Sequence, residues 1–234
     1  MKKIIFTFAF AIATLAAFAQ EQAVYSQYHV FPVLINPGYT GFEDQHQFLV
    51  NARSSWTGFP GRPNTYTLMY NGPVGDKLAL GGGLFSEKAG DISSTKLMLN
   101  YAFRFKIQKA VIGLGLSTEF LNRKADAGLL DNNLVDRNDA TLESLVDGQQ
   151  IFDASVGVHL MYDERFFLSM ALPNTVRTRL DEVVVDEVSS DKVGHYIFQL
   201  GYVLNMPNQN FKIVPSLTVR KLRNTPSQID INVQ

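Results

Sequence analysis

The sequence predicts an all-β fold, an antiparallel up-and-down transmembrane β-barrel of the outer-membrane kind. Three observations carry this. Residues 96–107 alternate strictly, with Leu97, Leu99, Tyr101, Phe103, Phe105 and Ile107 on one face and Lys96, Met98, Asn100, Ala102, Arg104 and Lys106 on the other, as successive side chains of a strand do. Connections between the candidate strands alternate between short and long. A secretory leader opens the chain, and no later apolar run approaches the ~20 residues of a membrane helix. A greasy face backed by a charged one suits lipid outside and water inside. A half-buried strand of a soluble sandwich alternates in the same way, so the connections and the leader have to choose between the two.

The leader comes first. Met1-Lys2-Lys3 is basic, Ile4–Ala16 is apolar except for Thr7 and Thr14, and Ala17-Phe18-Ala19 has the form of a cleavage site. Residues 1–19 therefore read as a signal peptide, cleaved to leave Gln20 as the first residue of an exported chain. The chain contains no cysteine, which removes a lipid anchor, disulfides and thiolate metal sites together. It has 22 acidic and 21 basic residues, two of the latter in the leader. That mildly acidic balance argues against nucleic acid as a partner. A mature chain without a spanning helix can cross a membrane only as a barrel.

Residues 20–44 read as a separate N-terminal segment on the periplasmic side. Pro32, Pro37, Gly38 and Gly41 set turns and exclude a regular ladder, while Tyr25, Tyr28, Phe31 and Tyr39 need something to pack against. A plug or collar at the periplasmic mouth fits this, as does a docking surface for a periplasmic partner. Strands follow over roughly 45–56, 64–72, 77–86, 94–106, 110–121, 151–162, 165–172, 194–206 and 210–223, with a tenth beginning near 228. In the fifth, Ile112, Leu114, Leu116, Thr118 and Phe120 oppose Gly113, Gly115, Ser117 and Glu119. In the sixth, Phe152, Ala154, Val156, Val158 and Leu160 oppose Asp153, Ser155, Gly157 and His159. Lys96, Arg104, Glu119, Asp153 and Lys212 are assigned to the lumen.

The even connections are short: 73–76, 108–109, 163–164 and 207–209. The odd ones are longer: 57–63, 87–93, about 122–150 and about 173–193. In an up-and-down sheet this places tight turns on one rim and loops on the other, as in outer-membrane barrels; a sandwich gives no reason for it. The two longest loops are acidic and read as solvated. Trp56, Phe59, Tyr66, Tyr101, Tyr162, Phe166, Tyr196 and Tyr202 are placed near strand ends, where interfacial girdles occur.

Two blocks carry a resemblance. Tyr25-Ser26-Gln27-Tyr28, Pro32 and Ile35-Asn36-Pro37-x-Tyr39-x-Gly41 form the first. Arg53, Trp56, Gly58, Phe59, Gly61, Pro63 and Thr65 form the second. Together they resemble the PorP/SprF family of outer-membrane proteins in the type IX secretion and gliding machinery of Bacteroidetes. Gly38 and Arg62 stand where the family pattern has Ala. The resemblance implies a non-enzymatic component that handles cargo or adhesin export. Its implied partners are outer-membrane lipid, the periplasmic ring proteins and the C-terminal sorting domains of cargo or adhesins. It also implies that Asn36, Pro37, Tyr39 and Gly41 set turn geometry while Trp56 and Phe59 sit at the outer rim. Family members continue for several more strands to an aromatic terminus, whereas this chain stops within Ile229–Gln234. The barrel over residues 45–234 is therefore expected to be incomplete at its C-terminus.

Catalytic, cofactor and metal signatures are missing from the sequence. His29, His46, His159 and His195 lack ligand spacing, and neither a nucleophile elbow nor a P-loop occurs. Gly81-Gly82-Gly83 lies within a strand and reads as a kink or a close approach. Two arrangements could suit an enzyme: Ser155 with His159 on one strand face, and Glu119 beside His159 across neighbouring strands. The other reading of the mixed lumen charge is an outer-membrane pore or small-ligand transporter.

Overall fold

The computed structural model describes residue 28 and residues 31–131, 140–180, 195–206, 211–221 and 227–234. The leader, Tyr25, Ser26, Gln27 and His29 lie outside the described residues. Among the described residues there are twelve strands: β1 (Gln47–Ser54), β2 (Asn64–Val74), β3 (Leu78–Ala89), β4 (Ile92–Ile107), β5 (Ala110–Ala125), β6 (Gln149–Tyr162), β7 (Phe166–Arg179), β8 (Tyr196–Tyr202), β9 (Leu204–Asn205), β10 (Lys212–Ile213), β11 (Pro215–Lys221) and β12 (Gln228–Val233). Ten of them form one antiparallel sheet in the order β1-β2-β3-β4-β5-β6-β7-β8-β11-β12, and β9 and β10 form a separate ribbon. The expected up-and-down order is therefore present. The sheet is not closed into a barrel: β1 and β12 are its two margins, and no ladder joins them among the described residues. The concave face is filled by the N-terminal segment instead.

The alternation read in the sequence sorts the two faces. On β4, Met98, Asn100 and Ala102 are buried on the concave side, while Leu97, Leu99, Tyr101 and Phe103 are exposed on the convex side. The ladder continues this outward row: Tyr101 pairs with Leu116, which pairs with Val156, which pairs with Leu172. The apolar band runs from Leu97 to Ile107 along β4. At ~3.3 Å per residue and a tilt of about 45° that is roughly 23 Å of height. Beyond it, toward the long connections, the outward positions turn polar at Thr95, Asn122 and Gln150, which are neighbours in the ladder. At the opposite end Tyr162, Phe166 and Tyr202 make an outward aromatic row.

Several expectations need correction. The connection expected over 87–93 is a two-residue turn, Gly90-Asp91, because Gly90 adopts a φ of +60° that glycine takes without steric cost. Its flanking strands are accordingly longer, and β4 and β5 each run for 16 residues. The region 122–150 is not all loop: β5 continues to Ala125, a 3-10 turn covers Ala127–Asp131, and a helix, α1, covers Ala140–Asp147. Strand β7 continues past Pro173 to Arg179. The register against β6 shifts between Ala154 and Val156, so Pro173, which cannot donate to a ladder, sits in a bulge. Asn174 closes the bulge with a φ of +54°. Tyr101 lies mid-strand rather than near an end. The fourth even connection holds the β9–β10 ribbon and is longer than the three residues expected.

Candidate functional site

The site is built by Tyr28 and residues 31–44, which lie along the concave face from one margin of the sheet to the other. Two 3-10 turns, Pro32–Leu34 and Pro37–Tyr39, shape this segment. Each begins on a proline, whose fixed φ suits a first helical position and whose missing N–H leaves no orphan donor. Asn36 caps the second: its Oδ1 accepts from the Gly38 N–H at 2.8 Å, while its Nδ2 donates to the Val158 carbonyl of β6 at 2.9 Å. The side chain is 3 % exposed, so both of its bonds are made out of water.

The Asn36-Pro37-Gly38 turn rests directly on backbone. Ala79, Ala102, Gly115, Gly157 and Ala171 are opposite one another across β3 to β7, a row of small side chains crossing five strands. A Cβ at Gly115 would run into Pro37, one at Gly157 into the Asn36 amide, and one at Gly113 into the Gly38 carbonyl. The approach is tight from the other side too. A Cβ at Gly38 would lie 2.9 Å from the Gly113 and Gly157 carbonyl oxygens. Glycine inside a strand weakens the strand and marks close approach of another backbone. Here it makes a shelf for the turn.

The rest of the segment is tied down on both sides. Gly41 N–H donates to Asn71 Oδ1 on β2 at 2.8 Å. Arg104 Nη1 donates to the carbonyls of Gly41 and Phe42 at 3.1 and 3.0 Å, and its guanidinium pairs with Asp44. Tyr39 and Phe42 set their rings edge-on to His159, with centroids 4.7 and 4.4 Å away. The Tyr39 hydroxyl donates to Glu43. Burial first, and then the Glu43 carboxylate, raise the phenol above its ordinary pKa of 10.0. At the far margin the Tyr28 hydroxyl donates to Asp230 at 3.4 Å and accepts from Asn232 at 3.1 Å on β12. Arg220 of β11 lies over the Tyr28 ring at 5.3 Å. On the opposite flank Phe31 and Val33 pack with Met69, Phe85 and Met98, against Leu49 of β1.

Below the segment, toward the short turns, opens a cavity of about 1070 Å3. Its floor is Pro32, Tyr39, Phe42 and Asp44, and Asp76, Lys77 and Glu164 stand at its rim. Among the expected lumenal charges, Lys96 pairs with Glu119 at 3.1 Å, Asp153 is buried, and Lys212 lines this cavity.

Neither enzyme arrangement forms. Glu119 stands opposite Asp153, whereas His159 stands opposite Gly113, so the register holds the pair apart. The His159 Nδ1 bonds to Ser169 on β7, and Ser155 Oγ accepts instead from the Asn174 N–H. Among the described residues no group of three His, Asp or Glu side chains could hold a metal ion, and no helix is long and apolar enough to cross a membrane.

The two motif blocks lie apart. Tyr28, Pro32, Asn36, Pro37, Tyr39 and Gly41 belong to the segment on the concave face. Arg53 is the penultimate residue of β1, and Trp56, Gly58, Phe59, Gly61 and Pro63 lie in the β1–β2 loop at the rim away from the short turns, where Trp56 and Phe59 are 75 % and 72 % exposed. That loop leans on the Gly90 turn through a Gly90 N–H bond to the Gly61 carbonyl at 2.8 Å. The sequence reading missed Gly113, Gly115 and Gly157 as the shelf. It also missed the receiving roles of Asn71, Arg104, Asp230 and Asn232. Three glycines on one face of two neighbouring strands was the signal that could have pointed to the shelf.

A family model described as Type IX secretion system membrane protein PorP/SprF matches residues 17–234. No curated protein and no solved structure matches the chain.

Proposed function

Because the chain belongs to the PorP/SprF family of type IX secretion system membrane proteins, we propose that its sheet is the wall of an outer-membrane β-barrel. In this reading residues 1–19 are removed on export and residues 45–234 form the barrel wall. The protein acts without catalysis in cargo or adhesin export for secretion or gliding. The observation that supports this most is the convex face: an exposed apolar band about 23 Å high, close to the roughly 25 Å of an outer-membrane barrel. It ends in polar residues on one side and in an aromatic row on the other.

Orientation follows from the rims. Gly75–Lys77, Gln108-Lys109 and Asp163–Arg165 are tight turns, assigned to the periplasm. The β1–β2 loop and the α1 region are assigned to the outside, where sorting domains of cargo or adhesins meet them. The stretch of Tyr28 and residues 31–41 is largely turned into the sheet, which leaves little of it for a partner. Docking to the periplasmic ring is therefore assigned to the short turns and the exposed Glu43–His46 run beside them. With no native cysteine in the chain, single cysteines at Asp76 and Glu143 report the topology. Impermeant thiol reagent on intact cells should label position 143 alone, and ring proteins should cross-link from position 76. Labelling at 76 with protection at 143 would reverse the orientation; equal labelling of both would remove the barrel.

A further inference from the structure

We propose that Tyr28 and residues 31–44 are a resident plug, closing the lumen by occupying the glycine shelf and opening it when they leave. This rests on the barrel reading of the sheet. The cavity on the short-turn side is lined by this segment through Pro32, Tyr39, Phe42, Glu43 and Asp44. On the other side of the segment lies the Phe31–Val33 apolar cluster. The segment reaches β12 through Tyr28, β5 and β6 through the Asn36-Pro37-Gly38 turn, and β2 through Gly41. It therefore crosses the width of the concave face without being a strand of it.

The attachment is of a kind that can release. Neither 3-10 turn of the segment is a strand of the sheet, so leaving breaks no ladder hydrogen bond. The contacts to lose are side-chain bonds of Asn36, Asn71, Arg104 and Tyr28, the fit of the turn on Gly113, Gly115 and Gly157, the ring contacts of Tyr39 and Phe42 with His159, and the apolar packing of Phe31 and Val33 on Met69, Phe85 and Met98. Thr40 of the segment is 1 % exposed, and its hydroxyl meets no protein partner among the described residues. Withdrawing the segment would return it to water, which lowers the cost of opening.

The test uses the full chain in vesicles of phosphatidylcholine and phosphatidylglycerol, with insertion established by resistance to carbonate extraction. Thr40→Cys supplies the only thiol, at a position buried while the plug is seated. Gly115→Leu places a side chain where Pro37 sits; Arg104→Ala, a milder change, removes the bonds to Gly41 and Phe42. The wild-type background should retain an entrapped small dye and label slowly at position 40. In Gly115→Leu, or in Arg104→Ala if the first does not insert, thiol labelling and dye release should rise together severalfold. Faster labelling without release means that the segment leaves but closes nothing, and overturns the proposal. So does a wild type that leaks as fast as the variants, or labelling that neither inserted variant changes. Failure of the wild-type chain to resist extraction would instead sink the outer-membrane reading itself.

Discussion

Asn36 makes two hydrogen bonds at once, one to its own turn and one to the sheet. Alanine there leaves the Gly38 N–H and the Val158 carbonyl without their partner in a buried place. At about 1–3 kcal/mol for each of the two buried groups left unpaired, Asn36→Ala should destabilise the fold by roughly 2–6 kcal/mol, read as a lower midpoint in urea unfolding from detergent. Tyr39 gives a pH dependence. Its phenol is raised by burial and by Glu43, so above the ordinary value of 10.0 the unfolded chain loses a proton that the folded chain keeps. Stability is full below that value and falls as pH rises beyond it. The unfolding midpoint should therefore drop between pH 9 and pH 11, by about the span of one phenol ionisation, and Tyr39→Phe should flatten the drop. An equal drop in the variant would assign it to other groups.

At the scale of an element, the outward face of β4 and β5 carries an exposed apolar band with polar residues beyond it. Leu116 on β5 lies inside the band, opposite Tyr101 and Val156, and Thr95 on β4 lies just outside it. Arginine at the centre of a barrel's outer face costs about 2–4 kcal/mol and near its margin about 0–1 kcal/mol. Leu116→Arg should thus impair folding into vesicles far more than Thr95→Arg, measured by the fraction that becomes protease-resistant. Equal effects would mean that this face does not meet lipid. Element lengths follow the same logic of local chemistry. Gly90 lets β3 and β4 meet in a two-residue turn, and the Pro173–Asn174 bulge lets β7 run on where an unbroken ladder could not.

At the scale of the molecule, Tyr28 of the N-terminal segment and β12 at the sheet margin are coupled. Tyr28 bonds to Asp230 and Asn232 and stacks under Arg220, which itself pairs with Asp230. Removing one hydroxyl by Tyr28→Phe should cost about 1 kcal/mol, but not evenly. Amide hydrogen exchange should quicken in β11 and β12 while β4 to β6 are unchanged, since exchange reports local opening. Uniform quickening, or none, would mean that the N-terminal segment does not brace this margin.

The strand order and the outward face were legible because they depend on period-two alternation and on turn residues, which are local properties of the chain. The family was legible because spaced Pro, Gly and Trp at Asn36–Gly41 and Arg53–Pro63 are local too. Three things were decided only in the tertiary structure. The shelf is one, since Gly113 and Gly157 become a single surface only when β5 and β6 pair in this register. The separation of Glu119 from His159 is another, fixed by the same register. The third is the seat of Tyr28 and residues 31–44, whose turns the prolines announced but whose partners lie on β2, β4, β6 and β12. Sequence spacing records which side of a strand a residue faces; it does not record what crosses that face from elsewhere in the chain.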